Sequence, residues 1–195
     1  MKSYSQFNQD LWVLSLYPEE KGFFLDIGCC DGERISNTFL LEQNGWTGIA
    51  ADPFPTNFQN RPNTILETVA IFSEESTVSF SKAGDVGGIT DLLGFWKDAP
   101  TVKGADKVEQ KAITLEQLLD NHNAPSFIHY LSLDTEGSEY EILKTFPFDK
   151  YSFGCITVEH NNEEPKRSNI ISLLQQNKYK LVKQDNVEDY FVREK

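Results

Sequence analysis

The stretch Gly22-Phe-Phe-Leu-Asp26-Ile-Gly28-Cys-Cys-Asp31-Gly32 governs the reading of this chain. Phe23 to Ile27 is a short apolar run with one acid in it, as expected of a strand in the middle of a parallel sheet. Gly28 and Gly32 then allow a tight turn and close approach of the backbone to a ligand. A helical stretch from about Ile35 to Gln43 follows, stopped by Asn44-Gly45, and its positive dipole end is expected to face the turn. The spacing, acidic residue-x-Gly-x-x-x-Gly, is not the GxGxxG of dinucleotide sites. It suits the amino-acid end of an adenosine-bearing ligand better than a pyrophosphate.

Strands and helices alternate around this unit. Upstream, Phe7, Leu11, Leu14 and Leu16 lie among polar residues and predict an amphipathic helix over 5–17, ended by Pro18. Downstream, strands are expected over Thr47–Asp52, Thr64–Phe72 and Thr77–Ser81, then over Ile128–Asp134 and Gly154–Glu159. Helices are expected over Leu115–Asn121, Ser138–Thr145 and about Arg167–Asn177. Two closing strands, Tyr179–Gln184 and Asp189–Arg193, are close enough to pair antiparallel. The pattern gives a single α/β domain over residues 1–195, with a mostly parallel sheet and helices on both faces. Residues 82–110, glycine-rich and without periodicity, read as a substrate loop or lid with one helical turn near Leu92 to Trp96.

With 195 residues, 39% of them hydrophobic, the chain can bury one sizeable core. Its formal net charge of −12 argues against a broad phosphate-binding surface, so nucleic acid is not an expected partner. No run approaches the roughly 20 apolar residues of a membrane span. The polar opening residues do not resemble a signal peptide, so a soluble, cytoplasmic protein is expected. Cys29, Cys30 and Cys155 lack the spacing of a zinc site and read as free thiols.

Open parallel sheets bind ligands outside the carboxyl ends of their strands. There the second strand ends in Asp52-Pro53, a carboxylate placed to accept from two ribose hydroxyls. The fourth main strand runs into Asp134-Thr-Glu136-Gly-Ser-Glu139. Glu139 suits the first turn of the next helix, whereas Asp134 follows the apolar strand directly and reads as a site residue. The fifth ends in Val158-Glu159-His160-Asn161, and His160 is the one histidine at a strand mouth: His122 falls at a helix terminus and His129 opens a strand. Asp134, Glu159 and His160 are therefore the candidate catalytic group.

In order along the chain, several segments resemble the FkbM family of methyltransferases. They are Tyr4-Ser-Gln-Phe-Asn-Gln-Asp10, Gly22 to Gly28 with Asp31-Gly32, and Ser36-Asn37-Thr38 with Glu42. Gly45-Trp46-Thr-Gly48, Leu131-Ser-Leu-Asp-Thr-Glu-Gly-Ser-Glu139 with Leu143, and Val158-Glu159-His160-Asn161 complete the series. The LDTEGSE segment is the most specific; the glycine turn is shared by many methyltransferases. The resemblance implies a Rossmann-like class I methyltransferase fold, a seven-stranded sheet with an antiparallel last strand. It implies S-adenosylmethionine-dependent O-methylation of a hydroxyl on a sugar or small metabolite. By position, Asp26, Gly28 and Gly32 would hold the methionine part of the cofactor and Asp52 the ribose. Ala70 would lie near the adenine, and Gln6 and Asn37 would reach the cofactor carboxylate or the substrate. Two departures are visible: Asp52 stands where a glutamate is common, and the glycine turn carries Cys29-Cys30.

An alcohol needs a base or a cation to lose its proton at neutral pH. One scheme makes His160 the general base, oriented by Glu159 or Asp134. In the other, Asp134, Glu159 and His160 or Asn161 hold Mg²⁺ or a similar divalent ion, as in catechol-type methyltransferases. A non-catalytic, cofactor-binding regulatory or scaffold protein is the alternative class. An NAD-dependent reductase is disfavoured by the glycine spacing.

Overall fold

The computed structural model describes residues 1–194. Its first elements are α1 (Gln9–Leu16), β1 (Phe23–Ile27), α2 (Phe39–Gln43), β2 (Thr47–Ala51), β3 (Thr64–Glu67), β4 (Ala70–Ile71), β5 (Ser76–Ser81) and β6 (Gly88–Ile89). Then come α3 (Pro100–Lys103), β7 (Lys107–Ile113), α4 (Leu115–Asn121), β8 (Phe127–Leu133), α5 (Glu139–Lys144) and β9 (Ser152–Glu159). The chain closes with α6 (Lys166–Gln176), β10 (Tyr179–Asp185) and β11 (Glu188–Arg193).

Seven strands form one sheet in the order β10-β11-β9-β8-β1-β2-β3. The pairs between β3 and β9 are parallel, and β11 runs antiparallel to both β9 and β10. Each face has its own core because successive side chains point to opposite sides. Leu25 and Ile27 of β1 pack with Leu118, Ile142, Ile170 and Leu174 of α4, α5 and α6. Phe24 packs the other way, with Tyr130 and Cys155 of the neighbouring strands, Val13 of α1, Leu41 of α2 and the fully buried Trp46. Helices therefore cover both faces of the α/β sheet, as the alternating pattern requires.

Four expectations need correction. The first helix begins at Gln9, not Ser5, because Asn8 is left-handed (φ 61°) and Asp10 draws the preceding residues into a hook. Asp10 accepts from the Ser3 and Ser5 hydroxyls at 2.6 and 2.8 Å and from the Tyr4 N–H at 2.8 Å. The helix after the glycine turn is only Phe39–Gln43, so the turn is an irregular loop without a helix end aimed into it. The run 64–72 is two strands: β3 belongs to the main sheet, whereas β4 pairs with β7 in a second sheet of order β4-β7-β5-β6. No Gly or Pro marks that break. Residues 82–110 hold β6, α3, the start of β7 and 3-10 turns at Gly84–Val86 and Phe95–Asp98. The helical turn foreseen near Leu92 to Trp96 is thus displaced toward Asp98, and β7 pairs along the whole of β5.

Candidate active site

The floor of the site follows from strand periodicity. On the α1–α2 face, Phe24, Tyr130, Cys155 and Val192 stand in register across β1, β8, β9 and β11. Two residues further along each parallel strand, the row becomes Asp26, Ser132 and Thr157. The next step brings Gly28, Asp134 and Glu159 to the mouth, with Glu188 paired opposite Glu159. An apolar base thus gives way to a polar row and an acidic rim within one strand length. The polar row is bonded from the loop before α2: Thr38 Oγ1 donates to Asp26 at 2.5 Å and Asn37 Nδ2 to Ser132 Oγ at 2.9 Å.

Above this floor lies an open cleft of about 900 Å³, the solvent at its mouth included. Asp26, Gly28, Asp52, Ala70, Gln6, Asn37 and Asp134 all line it, although they come from separate parts of the chain. Gly28 has φ +81°, and a Cβ there would fall 1.6 Å from the Asp134 carbonyl oxygen; the turn is pressed against the end of β8. Asp52 accepts from the N–H groups of Phe54 at 2.7 Å and Cys30 at 3.1 Å, which fixes its carboxylate at the rim. Burial raises the pKa of both Asp26 and Asp52. Val69, Ala70, Ile71, Phe80 and Ile89 form an apolar wall, part of it supplied by the second sheet.

Gly32 stands outside the lining. A Cβ there would meet the Asn57 carbonyl at 2.6 Å, and its own carbonyl accepts from Arg61 Nη1 at 2.8 Å. It closes the turn against residues 56–58. Cys30 lines the cleft, but burial, with Asp52 beside it, pushes its thiol up to about 12. It is a poor nucleophile, and all three cysteines are free.

His160 has a setting different from the expected one. Being one residue past Glu159, it points to the opposite face of the sheet. There its Nδ1 accepts from the Asn162 N–H at 2.9 Å and its Nε2 lies 3.5 Å from Asp189, which Arg167 of α6 also pairs at 3.0 Å. His122 and His129 are engaged by Glu67 and Glu20. None of these three rings lines the cleft.

Glu136 stands beside Asp134 and Glu159, where the sequence reading expected His160. One carboxylate oxygen from each of Asp134, Glu136 and Glu159 lies within 4.8 Å of the other two. Asn161 Nδ2 bridges Glu136 and Glu159 at 3.1 and 2.8 Å, whereas buried Asp134 Oδ1 has no donor. Burial, then mutual repulsion, raises the pKa of Asp134 and lifts Glu136 to about 9. Glu139 is spent on structure, as its helix-start position suggested: it accepts from the Thr135 and Gly137 N–H groups, both at 2.9 Å, and pairs Lys166 at 3.2 Å. Glu188 and Gln9 also line the cleft and were not foreseen. They hydrogen-bond one another, and burial raises Glu188 to about 7.

These raised values carry a sign. Between the unfolded and folded pKa the native state holds the extra proton, so stability falls as pH rises through that window. With chelator present, the melting temperature should fall between about pH 5 and pH 9, and Glu136→Gln should flatten the slope. The expected loss is on the order of 2 kcal/mol; equal slopes for the two proteins in thermal melts would contradict it.

A latch spans the mouth. Arg34, just after the glycine turn, donates to both oxygens of Asp85 at 2.7 Å, and Gly84, Asp85 and Gly87 line the cleft. Beside it, residues 88–93 rest on the loop that follows β8: a Cβ at Gly137 would meet the Leu92 carbonyl at 2.0 Å. Opening this pair is expected to speed ligand exchange, so Arg34→Gln should raise the off-rate several-fold in stopped-flow displacement. An unchanged off-rate would rule the latch out.

Among the described residues no helix is long and apolar enough to cross a membrane. The family model described as the Methyltransferase FkbM domain matches residues 26–181, from Asp26 of β1 to Leu181 of β10. No curated protein matches the chain.

Proposed function

Because the chain belongs to the FkbM methyltransferase family, we propose that it is an S-adenosylmethionine-dependent O-methyltransferase acting on a hydroxyl of a sugar or small metabolite. The cleft carries the reading. It joins the Gly28 turn, the Asp52 carboxylate and an apolar wall, and among the described residues no Lys, Arg or His lines it. A pyrophosphate would find no cationic partner there. Tyr-x-x-x-Lys pairs of the kind used in hydride transfer occur at Tyr17/Lys21, Tyr140/Lys144 and Tyr179/Lys183, but none of them lines it either. Two buried atoms at its lining residues, Asn37 Oδ1 and Asp134 Oδ1, are acceptors without donors; an ammonium-bearing ligand fits them. The strand order β3-β2-β1-β8-β9-β11-β10 supports a Rossmann-like class I arrangement.

In this reading Asp26 and Gly28 lie against the methionine end and Asp52 takes the ribose hydroxyls. Ala70 borders the adenine, and Gln6 and Asn37 reach the amino-acid group or the acceptor. When bound, the cofactor supplies a methyl group made electrophilic by its sulfonium. The protein's part is to align the acceptor oxygen and to receive its proton. Asp134 faces the cleft and takes that proton, with Glu136, Glu159 and Asn161 behind it. Residues 82–110 cover the acceptor side and exclude water. The acceptor is a small molecule or carbohydrate, and neither nucleic acid nor a membrane is a partner.

A second reading is favoured by the packing of Asp134, Glu136 and Glu159: a divalent cation held by the three would acidify the acceptor hydroxyl. Methyl transfer from labelled cofactor should be measured over sugars and phenolic metabolites, before and after chelation. Asp134→Asn is expected to lower the rate at least about 100-fold with cofactor affinity kept. Cofactor binding without transfer to any acceptor would favour a scaffold protein. Full activity after chelation would remove the cation.

A further inference from the structure

The cleft is lined by Asp26, Asp52, Asp85, Asp134, Glu136 and Glu188. The cations nearest in the fold are committed elsewhere: Arg34 to Asp85, Lys166 to Glu139 and Glu163, Arg167 to Asp189. Arg34 offsets Asp85 at the mouth and Arg61, behind Thr38, acts on Asp26, but among the described residues no Lys, Arg or His lines the interior. Glu188 is 5% exposed and its carboxylate meets neutral partners, the Gln9 amide and the Thr157 hydroxyl. The unpaired buried atoms at the lining, Asn37 Oδ1 and Asp134 Oδ1, are both acceptors. A cation entering this low-dielectric cavity favours the ionised form of the carboxyl groups around it and is attracted to them far more strongly than it would be in water.

We propose that this cleft discriminates by charge at the reacting end, holding the sulfonium form of the cofactor more tightly than the neutral sulfide left after transfer. The inference rests on the cofactor assignment made above. In the transfer a carbon–oxygen bond forms and the carbon–sulfur bond breaks. Its electron pair stays on sulfur, and the acceptor proton passes to a carboxylate of the cleft. The ligand thereby loses its sulfonium charge and one carboxylate is neutralised by the acceptor proton, while the other carboxyl groups of the cleft no longer face a cation. Product release is then driven by the same residues that retain the cofactor, with Glu188 a specificity-determining side chain.

Calorimetric binding to the full chain, with chelator present, separates the alternatives without any turnover. The probes are S-adenosylhomocysteine and sinefungin, in which a protonated amine stands where the methylated sulfonium would be. Sinefungin should bind at least tenfold more tightly. Glu188→Gln should shrink that ratio by several-fold while leaving S-adenosylhomocysteine affinity within about twofold, and a thermal melt verifies that the variant folds. Should Glu188→Gln not fold, the ratio of sinefungin to S-adenosylhomocysteine affinity in the parent protein decides. Equal affinities, or tighter binding of the sulfide, overturn the inference and leave the cofactor assignment standing. Failure of both probes to bind overturns that assignment as well.

Discussion

Replacing Arg61 by Ala should lower the free energy of unfolding by about 3–5 kcal/mol, the usual cost of stranding one partner of a buried ion pair. Arg61 is 3% exposed and its partner Glu42 is 6% exposed. The guanidinium pairs Glu42 and also donates to the Gly32 carbonyl at 2.8 Å, Thr38 Oγ1 at 2.9 Å and Thr64 Oγ1 at 3.1 Å. The rings of Phe24, Phe39 and Phe58 surround it at 5.4–5.7 Å. Ala would leave Glu42 buried without its cation, with only the Asn63 N–H and the Thr64 hydroxyl to satisfy it. The effect reaches the site, because Thr38 holds Asp26 and Gly32 closes the glycine turn. Denaturant titration of Arg61→Ala measures the loss; a value under 1 kcal/mol would show the pair to be hydrated. The double variant Arg61→Met with Glu42→Leu separates the two roles. Its stability should return to within about 2 kcal/mol of the parent, since apolar replacements of buried pairs are often tolerated. Its cofactor affinity should not return, because nothing then holds Gly32 and Thr38.

The sequence exposed the strand ends better than it exposed the directions of their side chains. Asp26, Asp52 and Asp134 stand out as carboxylates within or just after apolar strands, and all three line the cleft. His160 stands out for its chemistry, yet its position decides against the setting expected for it. On β9 the residues that share a face with Cys155 are Thr157 and Glu159, so the next residue turns to α6, where Asp189 meets it. Counting by two from the strand core would have shown this. Glu136 was hidden for the opposite reason: it lies past the strand, in a loop where no periodicity applies, and its left-handed backbone (φ 59°) turns it back. Glu188 had one usable signal, its place opposite Glu159 once β9 and β11 are paired, which depends on a register no local pattern supplies. The second sheet escaped notice because β7 pairs with β5 across the intervening glycine-rich segment. Its outward residues Lys107, Glu109 and Lys111 also hide the alternation.

Gly28→Ala is expected to weaken cofactor binding at least about 100-fold, since displacing a binding turn by an ångström has effects of that size. It should also destabilise the fold by roughly 3 kcal/mol, as overpacking of a rigid site does. Two separate causes combine. The left-handed backbone at φ +81° costs an L-residue about 1–2 kcal/mol. The new methyl would also lie 1.6 Å from the Asp134 carbonyl oxygen and 2.6 Å from its carbonyl carbon. Those are backbone atoms, so no side chain can swing aside. The end of β1 must part from the end of β8, which breaks the hydrogen bond from the Asp134 N–H to the Ile27 carbonyl, now 2.9 Å long. Asp134 moves with it, and the acidic rim loses its alignment with the turn. Gly45→Ala is the control that isolates the first cause. Gly45 has φ +88°, but its nearest neighbours are the flexible Lys21 side-chain atoms at 3.2–3.4 Å. It should cost about 1 kcal/mol and leave cofactor binding unchanged. Calorimetric titration with S-adenosylhomocysteine and denaturant unfolding of both variants decide the matter. If Gly28→Ala behaves like Gly45→Ala in both measurements, the turn is not the part of the cleft that holds the ligand.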